Sequence, residues 1–312
     1  MSSTVEVYLR YPGDAVAAVA RVSLFLGARG YFGSPRETFR FTLWPQAGGL
    51  LGVDLSAVEE GPDTALSPYD FGLSMELMDA PAPVRGEMRE RAGREVFDRL
   101  TALEVPLAYG DHAYLFADFL PGRGVREFPP GTGWEEDDRD VWFEPRLHGT
   151  ARPADTADHA APFRSAGSVR VFETDGLVHF VPWGDGAAMA PVASVRASSG
   201  QAVLGRMLAE TLGRSRQGAG ATTADPWSWV TGTAQREPGD YARAAVSIDI
   251  EVTESAITAV PHGGVTEPAG DHVTQGPVVE SLAVHQSGPW DDASMGDLVL
   301  RLIRETRARV PS

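Results

Sequence analysis

The sequence reads as an α+β protein of antiparallel sheets with helices packed on one face, arranged as two domains. Strand-length apolar runs alternate with two helices in the first half and again in the second. Between the halves lies a stretch of Ala, Pro and Asp with almost no apolar mass. At 312 residues the chain is long for one compact core, and each half is long enough to bury its own. The first domain is placed at residues 1–147, a linker at 148–168 and the second domain at 169–312.

The first half opens with a strand over Val5 to Tyr11, with Val5, Val7 and Leu9 on one face. Gly13-Asp14 caps a helix from Ala15 to about Ala28, so apolar all round that it must be well buried. Strands follow at Glu37 to Trp44, Leu50 to Val58 and Tyr69 to Leu77. Pro45-Gln46-Ala47-Gly48-Gly49 joins the first two and suits a hairpin. The second helix spans Val84 to Glu104. Its stripe is Val84, Met88, Ala92, Val96, Leu100 and Leu103, while Glu87 with Arg91, Glu90 with Arg94 and Glu95 with Arg99 pair one turn apart. Strand, helix, strands, helix, strand is the order of an elaborated ferredoxin-like half.

The stretch from Pro106 to Arg146 carries the most unusual chemistry. His112 to Leu120 is apolar with too little alternation for one wet face, and predicts a central strand covered on both sides. Pro121 to Gly133 is a loop punctuated by Pro and Gly. Then Glu135, Glu136, Asp137, Asp138, Asp140 and Glu144 crowd around Arg139, with Trp134, Trp142 and Phe143 among them. Large aromatics beside a negative loop suit a docking surface. A solvated acidic loop is the plainer reading of the same residues. The calcium-loop pattern of Asp and Asn at alternate positions is absent, so no metal is predicted there.

Pro145 to Ser168 is the linker. It contains His148, Asp155, Asp158 and His159, but no strand or helix to preorganise them around a metal. Strands at Val169 to Phe172 and Leu177 to Trp183 are joined through Asp175-Gly176, a hairpin signal. Ser198 with Gln201 is a capping box that opens a helix ending at Gly213. Arg214 to Asp240 reads as a mobile loop, with Trp227 and Trp229 in a short extended piece. Strands at Ala244 to Val252, Ser255 to Val260 and Val278 to His285 precede a last helix. That helix starts at Ser294, with Asp297 as box partner, and gathers Arg301, Arg304, Arg307 and Arg309 toward its C-terminus, where the helix dipole favours them.

Composition narrows the function classes. A net charge of -16 argues against a phosphate backbone, hence against nucleic acid, and in favour of a basic protein partner. Without cysteine there are no disulfides, thiolate nucleophiles or Cys-ligated metals. All 27 basic residues are Arg, which excludes a Lys Schiff base and a P-loop Lys; with Asn also missing, a GC-rich bacterial genome is the simple explanation. No secretory signal or membrane-length apolar run is visible, so a cytoplasmic protein without membrane contact is expected. Nucleophile-elbow, H-E-x-x-H, P-loop and dinucleotide signatures are missing, and no cofactor is predicted.

Asp111, His112 and His179 are the candidate catalytic residues. An Asp beside a His can tune a general base, although neighbours on a strand point to opposite faces. The expectation is an acidic protein-binding module, inhibitor- or immunity-like or an adaptor. It would engage its basic partner through Trp134, Glu135, Glu136, Asp137, Asp138, Asp140 and Trp142. A small-molecule biosynthetic enzyme without a recognisable motif is the alternative, and a structural subunit of a larger assembly is the third reading.

Overall fold

The computed structural model describes residues 4–34, 38–45, 48–58, 66, 68–80, 84–134, 167–184, 187–217, 226–253, 255–263, 276–288 and 290–309. The acidic run after Trp134 lies outside the described residues, as does the predicted linker up to residue 166; Gly167 and Ser168, placed in the linker by sequence, open a strand instead. In chain order the elements of the first half are β1 (Val5–Leu9), α1 (Ala15–Phe25), β2 (Gly30–Gly33), β3 (Phe39–Leu43), β4 (Leu51–Ala57), β5 (Phe71–Leu77), α2 (Arg85–Leu100), β6 (Leu107–Asp111), β7 (Leu115–Leu120) and β8 (Gly124–Glu127). There follow β9 (Gly167–Thr174), β10 (Leu177–Gly184), β11 (Ala187–Ala188), β12 (Val192–Arg196), α3 (Gln201–Gln217), α4 (Pro226–Ala234), α5 (Pro238–Ala244), β13 (Val246–Val252), β14 (Ala256–His262), β15 (Val284–Ser287) and α6 (Asp292–Arg307). The mixed α+β class is thus observed. Contacts divide the chain into one unit of Met1–Ala28 with Glu37–Ala157 and another of Arg29–Arg36 with Asp158–Ser312.

In the first unit the sheet runs β3-β4-β5-β1-β6-β7-β8, every pair antiparallel. Alternation decides its two faces. Val5, Val7 and Leu9 share a face with Leu73, Met75, Val53, Leu55, Phe39 and Phe41, and all are buried. Each such side chain contributes about 1.5–3 kcal/mol of burial. α1 packs on this layer over β3 and β4, and α2 over β1, β5 and β6. Asp14 starts α1 as expected, accepting the Ala17 N–H at 2.9 Å. On the opposite face Tyr8, Ala108 and Leu115 are capped by Leu66, Tyr69, Phe128 and Trp134. That cap reaches Gly72 on β5, where the Tyr8 ring lies, and Val58 just past β4; farther along, Arg40 and Glu76 are exposed, as are Trp44 and Met78 one residue beyond β3 and β5.

The second unit holds a sheet in the order β15-β14-β13-β9-β10-β12-β2, with β11 beside β10. Its pairs are antiparallel except β12 with β2, which is parallel. Helices cover both faces, where the sequence had predicted one. α3 and α6 pack over Val171, Phe180 and Ile248, and α4 and α5 over Phe172, Val181 and Val192. The α3/α6 contact is close because each helix presents a glycine to the other's backbone: a Cβ on Gly205 would lie 1.6 Å from the Asp292 carbonyl oxygen, and one on Gly296 1.8 Å from that of Gln201.

Other expectations shift by local chemistry. The strand predicted from His112 starts at Leu115, because Asp111 turns the chain by accepting the Ala113 and Tyr114 N–H groups at 2.8 and 2.7 Å. It is the penultimate strand rather than a central one. The loop predicted after it contains β8, and the one predicted across Trp227 and Trp229 holds α4 and α5, each begun by a proline. α3 begins at Gln201, after a short 3-10 turn that contains Ser198, and runs past Gly213 to Gln217. The last helix is capped one turn earlier than expected, by the reciprocal pair Asp291 and Ser294.

Candidate interaction surface

The open outer face of β3, β4 and β5 is a small grid fixed by register. Arg40, Asp54 and Ser74 lie side by side, and Thr42, Gly52 and Glu76 form the next row. One step further, Met78 donates its N–H to the Leu50 carbonyl at 2.9 Å, and Trp44 follows Leu43, the partner of Leu51. Trp44, Leu50 and Met78 are therefore the third row. Trp44 is 67% exposed and Met78 50%. Leu50 is held by its own N–H, which donates to Asp79 Oδ1 at 2.7 Å.

The charges of this face are unequal. Arg40 Nε lies 3.3 Å from Asp54 Oδ1 and Nη2 3.9 Å from Glu76 Oε2, contacts too long for the tight fork that a guanidinium makes with a carboxylate. Among the described residues of these three strands, Arg40 is the one cation on the open side. Partial burial pushes the Asp54 carboxyl above the usual range; Arg40 opposes that and the Glu76 charge adds to it.

A second concavity in this unit is an open groove of about 830 Å³ beside α2. Tyr109 and Phe116 form its floor, brought to one side by the register shift between β6 and β7 and set edge to face at 5.4 Å. Arg91, Arg94 and Arg99 alternate on its rim with Glu90, Glu95 and Asp98. Arg94 is engaged by Asp98 at 2.8 Å and Glu127 at 2.6 Å. The rim is balanced in charge, which does not select a basic partner.

The residues singled out in the sequence fall in different places. Asp111 is occupied by its turn and His112 is exposed in the same turn. His179, fully buried on β10, has Nδ1 2.8 Å from Ser194 Oγ, and Ser194 in turn accepts the Trp229 Nε1–H at 3.0 Å. Among the described residues its Nε2 has no hydrogen-bond partner, and burial pushes its pKa down to about 3, so the ring is neutral. His179 and Ser194 are both buried, and Trp229 of α4 packs against them through its bond to Ser194. Trp134 is half-buried against the first unit's sheet, its Nε1–H donating to the Asp111 carbonyl at 2.7 Å and its ring edge-on to Tyr8 at 5.5 Å. Glu135, Glu136, Asp137, Asp138, Asp140 and Trp142 lie outside the described residues. Among the described residues no group of His, Asp and Glu is placed to hold a metal, and no helix is long and apolar enough to cross a membrane.

Trp44 and Met78 escaped sequence reading. Each sits one residue beyond a strand, and only pairing shows that they share a row.

No family model matches the chain, and no curated protein matches it. Two solved structures are similar in part. A protein of unknown function from Neisseria meningitidis is 11% identical, covering 47% of this chain and 97% of its own, with a TM-score of 0.36. The CdiA-CT/CdiI toxin and immunity complex from Yersinia pseudotuberculosis contains a chain 13% identical, covering 45% of this chain and 97% of its own, with a TM-score of 0.33. With identities this low and TM-scores below 0.5, neither neighbour bears on what this chain binds.

Proposed function

We propose that this chain is a protein-binding module, an inhibitor-like, immunity-like or adaptor protein, whose partner presents a basic surface. The observation that carries the reading is the open face of β3, β4 and β5, where exposed Trp44 and Met78 stand beside Asp54 and Glu76. Large apolar side chains rimmed by charge are the usual anchors of an interface, because they supply contact area while the rim sets orientation. The excess of acid over the whole chain, -16, has the sign that steers a basic partner toward this face. The acidic run from Glu135 to Glu144 is part of that excess. It starts directly after Trp134, which is fixed on the same side of the sheet as Tyr8.

Capture from a lysate of the native host tests the reading. Wild-type protein and a Trp44→Ala/Met78→Ala double variant serve as parallel baits at about 50 mM and about 500 mM salt. A basic protein should be held by the wild type at low salt, weakly at high salt, and poorly by the variant. Equal retention on both baits contradicts the proposal.

A further inference from the structure

Charge along the groove beside α2 is balanced in number but ordered in sequence. The groove lies across the sheet from the open face, since Tyr109 of its floor pairs with Val7 of the buried layer. That floor is firm: Tyr109 stacks on Phe97 at 5.6 Å, and its hydroxyl donates to the Glu90 carbonyl at 2.9 Å. Phe116 beside it is half-buried. Along the rim α2 presents Glu90, Arg91, Arg94, Glu95, Asp98 and Arg99 in a row about 14 Å long, at about 1.5 Å per residue. The signs in this row are antisymmetric about the midpoint between Arg94 and Glu95. Positions equally far from it carry opposite charges: Arg94 against Glu95, Arg91 against Asp98 and Glu90 against Arg99. Two copies of α2 laid antiparallel about a two-fold axis at that midpoint bring these positions together, and symmetry forms each pair twice. A parallel two-fold alignment would set every charge against its own copy. We infer that the α2 groove is the contact between two copies of this chain, the helices antiparallel and centred on Arg94 and Glu95, with Tyr109 and Phe116 of both copies covered.

The state of the rim residues suits this contact. Glu90 and Arg91 are exposed, and among the described residues neither side chain makes an ion pair. Asp98 accepts from Arg94 at 2.8 Å, and a carboxylate has room for a second donor from the other copy. Arg94 is held between Asp98 and Glu127, so the centre of the row is in place before contact. A rim of mixed sign disfavours a strongly basic or strongly acidic partner, whereas a second copy matches it pair by pair. Net repulsion between two chains of -16 is screened beyond about 8 Å at physiological salt, while the rim pairs act in contact.

Sedimentation velocity of the full chain at about 150 mM salt tests this. The wild type should be a dimer at micromolar concentration. Arg91→Glu and Asp98→Arg each bring like charges together twice, and each should raise the dimer dissociation constant more than about thirtyfold. An equimolar mixture of the two variants should dimerise again, because the two changed residues then face each other and the two unchanged ones do likewise. Arg91→Glu/Asp98→Arg in one chain should dimerise with itself for the same reason. Melting temperatures near that of the wild type show that each variant folds; should Asp98→Arg unfold, Glu90→Arg with Arg99→Glu repeats the exchange at the outer pair. Trp44→Ala/Met78→Ala should leave the dimer intact, since that face lies across the sheet. A wild type that stays monomeric, an Arg91→Glu variant that dimerises as the wild type does, a mixture that fails to recover the dimer, or loss of the dimer in Trp44→Ala/Met78→Ala overturns the inference.

Discussion

His179 shows most directly what one buried residue does to this chain. Its ordinary pKa is 6.5, and burial pushes the folded value down to about 3. Between those values the unfolded chain binds the proton more tightly than the folded one. Stability is therefore intact above pH 6.5 and lost as pH falls toward 3. At pH 5 the loss from this residue is about 2 kcal/mol. Denaturant melts at pH 7.5 and pH 5 should show that difference, and His179→Leu should remove it while leaving the remaining acid dependence. No change in the pH profile would mean that His179 reaches solvent. Trp134 is the counterpart on the first unit's outer face. Trp134→Phe keeps the ring against Tyr8 but loses the bond to the Asp111 carbonyl, at a cost of about 1 kcal/mol by thermal denaturation.

At the scale of elements, β2 has the most consequence for its length. It belongs to the N-terminal part of the sequence yet is paired with β12, with Val192 opposite Gly30 and Val195 opposite Gly33. Arg214 on α3, itself buried, donates to the Tyr31 hydroxyl at 2.9 Å and to the Pro191 carbonyl at 3.0 Å, fastening the strand from one face. From the other face Trp229 packs on Gly30. Arg214→Leu should cost about 2–3 kcal/mol by removing these buried, charge-assisted hydrogen bonds. A fragment of residues 167–312 lacks β2 and should lose cooperative unfolding, and adding a peptide of residues 26–37 should restore it. Cooperative melting of the bare fragment would show β2 to be dispensable. The alternating strands β3, β4, β5 and β13 were legible because each buries one face beside a wet one. β2 was not, since Gly-Tyr-Phe-Gly is too short to show a period. α4 and α5 were hidden by glycine, alanine and threonine, although Pro226 and Pro238 are helix-start signals in hindsight. The open face was illegible for another reason: its rows are cross-strand neighbours, and register belongs to pairing rather than to any one segment.

For the whole molecule the decisive quantity is the sign and placement of charge. Acids outnumber arginines 43 to 27, so long-range attraction acts on a basic partner before any contact forms and fades as salt screens it. Exposed carboxylates add little to stability, whereas an apolar anchor adds little at long range and much once it is covered. The two kinds of residue on the open face should accordingly separate in kinetics. With the captured partner immobilised, Asp54→Asn/Glu76→Gln should slow association about tenfold at low salt. Trp44→Ala/Met78→Ala should instead speed dissociation about thirtyfold, and neither variant should move the melting temperature appreciably. Association and dissociation rates indistinguishable from wild type in both variants would contradict a docking role for this face.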